Sequence, residues 1–141
     1  MGKPYELIDH TADIGIQVVG EDLWDLFSKA GYTLFDLMAG DLGSIEADQE
    51  AVVEVRGDDV ETLFMNWLRE LLYLFEVKRL IASKFDLLEW GNGVLKVRCG
   101  GTFYRPGRQT LNMEIKAVTY HHLKVEQQSD GRWLAQVIFD I

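Results

Sequence analysis

The chain has 141 residues, 48% of them hydrophobic and 26% charged, which suits a single domain over residues 1–141 with a sizeable core. Twenty-three acidic residues against fourteen basic ones leave a net charge of -9, which disfavours independent binding to phosphate backbones and points to a metal ion or a basic protein surface as partner. Cys99 is the only cysteine, so an intramolecular disulfide and a cysteine-rich zinc site are excluded; with no apolar signal core and no membrane span legible, a cytoplasmic location is expected.

The first stretch, YELIDHTADIGIQV at residues 5–18, reads as two short strands around an acidic, histidine-bearing kink. In EDLWDLFSKAGYTLFDLMAG the residues Leu23, Leu26, Phe27, Ala30, Leu34, Leu37 and Met38 recur at helical spacing, with Asp22 as N-cap and Gly40 as terminator. A polar loop leads to QEAVVEVRG, where Ala51, Val53 and Val55 alternate with Glu50, Val52 and Glu54 as on a strand with one buried face, ended by Gly57. A second amphipathic helix follows, with Leu63, Phe64, Trp67, Leu68, Leu71, Leu72 and Phe75 on one broad face and a capping box expected from Asp58 and Glu61. The remainder reads as strands near 82–90, 94–104, 112–126 with a break, and 133–141, with hairpin turns at Asn92-Gly93 and Asp130-Gly131. The sum is an α+β domain of mostly antiparallel strands with two amphipathic helices, packed on one side of a sheet or between sheets. The strand-then-helix order occurs twice and hints at a duplication, although the two helices share pattern more than residues.

Three places carry groups that could do chemistry. Asp9, His10 and Asp13 crowd one kink; oxygen ligands suit calcium, magnesium or manganese, imidazole shifts the preference toward manganese or zinc, and the alternative is a turn capped by Asp9 and Thr11. WLAQVIFDI keeps its strand pattern to the last residue, which sets Asp140 beside the α-carboxylate of Ile141; a cation would relieve their repulsion, or both are solvated at a fraying strand end. In LNMEIKAVTYHHLKVEQQ, Lys116 lies in an apolar setting as a salt-bridge or phosphate contact, and His121-His122, on opposite faces of a strand, are expected to leave one ring packed and one exposed. Arg105 and Arg108 sit in a glycine-bearing loop that reads as an exposed hairpin end more readily than a phosphate cradle. Nucleotide-binding glycine loops, the nucleophile elbow and the H-E-x-x-H zinc motif are all missing from the sequence, so a self-sufficient enzyme is not expected.

DHTADIGI near the start, EIKAVTYHHLKV in the last third and VIFDI at the end together closely resemble the archease family, over residues 5–141, and NWLRELLYLFE fits as well. The resemblance implies two interleaved strand-helix-strand-strand modules and a non-catalytic partner protein of the GTP-dependent RNA ligase of tRNA splicing and RNA repair. That ligase joins 2′,3′-cyclic phosphate or 3′-phosphate ends to 5′-hydroxyl ends; the helper promotes its guanylylation and multiple turnover, meeting RNA and GTP only through it and no membrane. The resemblance further implies a metal site at Asp13, Asp140 and the terminal carboxylate of Ile141, a functional Lys116, and a supporting His10. Calcium is the expected ion, with magnesium or manganese as alternatives. A general chaperone-like modulator of nucleic-acid-processing proteins, and a metal-dependent hydrolase acting alone, are the other readings.

Overall fold

Two helices lie between two antiparallel sheets in the computed structural model, which describes residues 3–9 and 12–141. The elements in chain order are β1 (Glu6–Asp9), β2 (Asp13–Gly20), α1 (Leu23–Ala39), β3 (Gln49–Arg56), α2 (Val60–Lys78), β4 (Leu80–Gly91), β5 (Val94–Phe103), β6 (Ala117–Gln127) and β7 (Trp133–Asp140), with one 3-10 turn at Leu42–Ser44. The first sheet has the order β1-β2-β7-β6 and the second β3-β5-β4. Both therefore repeat one plan: a strand, a helix, then a hairpin whose second strand pairs with the first. The module β3-α2-β4-β5 is contiguous in sequence, and it is inserted between α1 and the β6-β7 hairpin of the module β2-α1-β6-β7. This is the interleaved arrangement that the resemblance implied.

Each element follows from local chemistry. Helix α1 begins where the Asp22 carboxylate accepts the Asp25 N–H at 2.8 Å, and ends where Gly40, at φ 66°, returns its N–H to the Asp36 carbonyl. Helix α2 is capped one residue later than the sequence suggested: Asp59, not Asp58, accepts from the Thr62 N–H at 2.7 Å, so the third helical residue is a threonine and no box with Glu61 forms. It stops at Arg79, which takes the left-handed conformation at φ 58° usually left to glycine. The β4-β5 turn places Asn92 at φ 52° and Gly93 at φ 72°, as the asparagine-glycine pair predicts. The strand expected over 112–126 begins only at Ala117, because 110–116 has no regular structure.

The alternating strand positions Ile16 and Val18, Val53 and Val55, Leu95, Val97 and Cys99, and Ala135, Val137 and Phe139 are buried, and with the helices they form one continuous hydrophobic cluster. Helix α1 packs on β2 and β7 of the first sheet and β4 of the second, and α2 packs on β6 of the first and β3, β4 and β5 of the second. Trp67 sits fully buried between the helices, where its indole N–H donates to the Phe27 carbonyl at 2.7 Å. Side chains of this size contribute about 1.5–3 kcal/mol each on burial, so the two modules stabilise one another through shared residues. Burial pushes the Cys99 thiol up to about 12, which keeps it uncharged and a poor nucleophile.

Candidate functional site

Strands β2 and β7 pair in a register that sets Asp13 opposite Asp140, and β6 sets Ala117 opposite Asp140 from the other side. Directly opposed residues in antiparallel strands share a face, with Cβ atoms about 4.5–5.5 Å apart. Because Ile16, Val18, Val137 and Phe139 point at the helices, alternation turns Asp13 and Asp140 to the outer face of the first sheet. Asp13 is half-buried, with one carboxylate oxygen enclosed, and Asp140 is exposed. The next residues meet as well: the Ile141 N–H donates to the Ala12 carbonyl at 3.5 Å.

Lys116 joins this row through its backbone, donating its N–H to the Asp140 carbonyl at 2.8 Å, while its side chain is exposed. The structure thus brings four of the five residues that the resemblance singled out, Asp13, Asp140, Ile141 and Lys116, to one corner of the first sheet. His10 and Thr11 lie outside the described residues. Among the described residues no three histidine, cysteine, aspartate or glutamate side chains cluster; the strand pairing supplies two carboxylates, those of Asp13 and Asp140. Such a set consists of hard oxygens with open positions. It fits calcium, magnesium or manganese and does not fit a closed four-ligand zinc site.

The histidine pair corrects a sequence expectation. Between Thr119, opposite Ile138, and Lys124, opposite Gln136, β6 spends five steps where β7 spends two, so residues 120–123 bulge out of the ladder. His122 is at φ 53°, which turns its side chain out of the strand alternation; both rings are exposed and in edge contact, with centroids 4.9 Å apart. The bulge is tied down by side chains of the outer face. Gln17 donates to Gln136 at 2.9 Å, and Gln136 donates to the His122 carbonyl at 3.0 Å. Arg105 and Arg108 are exposed on a turn, as expected for a hairpin end.

Two features were not found from the sequence. Asp36, in the last turn of α1, is 4% exposed and accepts from the Tyr5 hydroxyl at 2.6 Å and the Lys3 ammonium at 2.8 Å, pinning the segment that leads into β1. Burial and then the Asp36 carboxylate hold the Tyr5 phenol above its ordinary range. The available signal was a carboxylate between Phe35 and Leu37 in an apolar helical run. The second feature is a groove of about 580 Å³ beside Lys116, between the last turn of α2 and segment 111–116. It depends on the left-handed Arg79 and on the Asn112 N–H, which binds the Met38 carbonyl at 2.7 Å, and neither leaves a sequence pattern.

Comparison with known proteins bears on family and fold. The Archease protein family model matches residues 5–141. The chain is 37% identical over 142 residues to the protein archease of Pyrococcus furiosus, covering 99% of each, and 38% identical over 144 residues to that of Methanosarcina acetivorans, covering 99% of this chain and 97% of the relative. The solution structure of Methanobacterium thermoautotrophicum protein 1598 superposes with a TM-score of 0.85 at 31% identity, covering 99% of this chain and all of that one. The crystal structure of an archease from Thermotoga maritima, described as a possible chaperone, gives 0.67 at 25% identity over 100% of this chain and 98% of that one. Matched from end to end in sequence and in fold, the chain belongs to the archease family.

Proposed function

We propose that this protein is a non-catalytic activator of a GTP-dependent RNA ligase, one that joins 2′,3′-cyclic phosphate or 3′-phosphate ends to 5′-hydroxyl ends. It would promote ligase guanylylation and multiple turnover in tRNA splicing or RNA repair. The observation that carries the reading is the meeting of Asp13 and Asp140 on neighbouring strands, with Lys116 fastened to the Asp140 backbone. Two opposed carboxylates raise the energy of a bare sheet corner, and nothing in the core packing requires them.

In this reading Asp13, Asp140 and the Ile141 carboxylate hold a calcium ion, or magnesium or manganese, which supplies positive charge to phosphate oxygens. Asp140 orients the site through its place on the central β7. Lys116, fastened by its backbone beside Asp140, would contact phosphate or hold the carboxylates in place.

The test is multiple-turnover RNA ligation with the ligase limiting and GTP and divalent metal present. The wild type should stimulate turnover and Asp140→Ala should not; failure of the wild type to stimulate an active ligase from the same source overturns the reading. A C-terminal tag should harm stimulation more than stability, and unchanged stimulation by tagged protein removes the terminal carboxylate from the site. The name given to the Thermotoga maritima relative supports a second reading, a chaperone-like modulator. Suppression of aggregation that survives Asp140→Ala would favour it.

A further inference from the structure

The groove beside Lys116 has a composition that the acidic corner does not explain. Its floor is apolar: Met38 is 2% exposed and Phe75 7%, with Met113 packed against the core beside them. Its rim is charged on both sides, by Arg79 and Glu76 from α2 and by Lys116 and Glu114 from the loop. Among the described residues neither Arg79 nor Lys116 makes an ion pair. The Arg79 guanidinium lies over the Phe75 ring, 5.2 Å from its centroid, a contact that orients the group while its in-plane N–H donors make no hydrogen bond to the described residues.

The loop adds an independent observation. Ile115 is 4% exposed, yet among the described residues no backbone hydrogen bond reaches Met113, Glu114 or Ile115. Flanking residues are held at Asn112 and Lys116, and this stretch, which lines the groove, keeps backbone donors and acceptors without a backbone partner among the described residues.

We infer that the groove is a nucleotide-binding site, with the base on the methionine-phenylalanine floor and the phosphate at Arg79 and Lys116. The cavity volume of about 580 Å³ lies within the range of small-molecule sites. Thioether sulfurs and an aromatic ring favour a flat ring over an aliphatic chain. Carboxylates and free backbone groups match the N–H donors and ring acceptors of a base, and an arginine with a lysine matches a phosphate. The four rim charges cancel locally, so the net -9 of the chain does not close the site to an anion, although the contact weakens with salt. A free mononucleotide and a phosphate-bearing RNA end offer the same chemistry. The inference goes beyond the ligase-activator reading, with which it shares Lys116.

The experiment is an amide NMR titration of the full-length, isotope-labelled protein with GMP, with guanosine, with inorganic phosphate, and with a 3′-phosphorylated RNA trinucleotide. GMP should produce saturable shifts centred on Arg79 and residues 112–116, with guanosine and phosphate each weaker by about tenfold. Arg79→Asn removes the guanidinium while asparagine still accepts the left-handed backbone, and should weaken GMP by about fivefold or more. Lys116→Met, which leaves the helix cap untouched, should act in the same direction. Tighter binding of the trinucleotide than of GMP assigns the site to RNA ends; equal or weaker binding assigns it to free nucleotide. Absence of saturable shifts, equal shifts with phosphate alone, or GMP binding unchanged in both variants overturns the inference. Ligase stimulation is a separate measurement, so failure of one reading is distinguishable from failure of the other.

Discussion

The two modules of this protein are built on the same frame and differ at one corner. Gly20 corresponds to Gly57, Asp22 to Asp59, Leu26 to Leu63 and Phe27 to Phe64, and both glycines lie so close to the next helix that an added Cβ would fall 2.4–2.5 Å from a backbone nitrogen. By the same correspondence Asp13 matches Glu50. Where Asp13 faces Asp140 and then Ala117, Glu50 faces Gly100 and then Lys84. Glu50 also has an exposed arginine partner, Arg98, at 3.8 Å. The inserted module shows that the frame closes without a second carboxylate, so Asp140 is not a residue the packing demands.

Variants can break or sharpen this comparison. The largest effect should come from Gly20→Ala and Gly57→Ala, each destabilising by about 3 kcal/mol because the clash is with helix backbone. Denaturant melts in which only one of them is costly would end the equivalence of the two frames. Next, Asp140→Ala should abolish calcium binding in a calorimetric titration and lower ligase stimulation by about tenfold or more, while Glu50→Gln leaves both unchanged. Equal losses from the two variants would mean that acidity in general matters, not this corner.

Smaller effects separate the helices. Tyr5→Phe removes a hydrogen bond to the buried Asp36 and should cost about 1–2 kcal/mol, whereas Tyr73→Phe, at the exposed α2 position that matches Asp36, should stay within about 0.5 kcal/mol. The smallest is the α2 cap. Hydrogen bonding from the Thr62 backbone holds the Asp59 carboxyl below its ordinary 3.8, so the cap stabilises fully above that value and is lost as pH falls through the lower folded-state pKa. The Tm gap between wild type and Asp59→Ala should therefore close only below pH 3.8. A gap that persists in stronger acid would assign the loss to something other than the carboxylate.

Much of the frame was legible because its signals are local. Asp22, Gly40 and the apolar spacing of Leu26, Phe27, Ala30 and Leu34 mark α1 within one short window, and Asn92-Gly93 marks a turn in two residues. The meeting of Asp13 with Asp140 has no local signal, since the strands lie at opposite ends of the sequence; only the family resemblance joined them. The exposed contact of His121 and His122 was hidden by a bulge whose cause is the register of β6 on β7, not the residues themselves. Arg79 escaped for a related reason: a left-handed arginine is tolerated because the Tyr104 N–H binds its carbonyl, a partner from a different strand end.

The insertion of one module into the other also orders events in time. Residues 49–103 hold every strand of the second sheet and its helix, so all the pairing partners of that sheet are present as soon as that stretch exists. Strand β2, made earlier, has to wait with one hydrogen-bonding edge unpaired until β7 arrives more than a hundred residues later. A half-made chain thus holds the partners of the second sheet and no acidic corner, so the site exists only once both ends of the outer module have met.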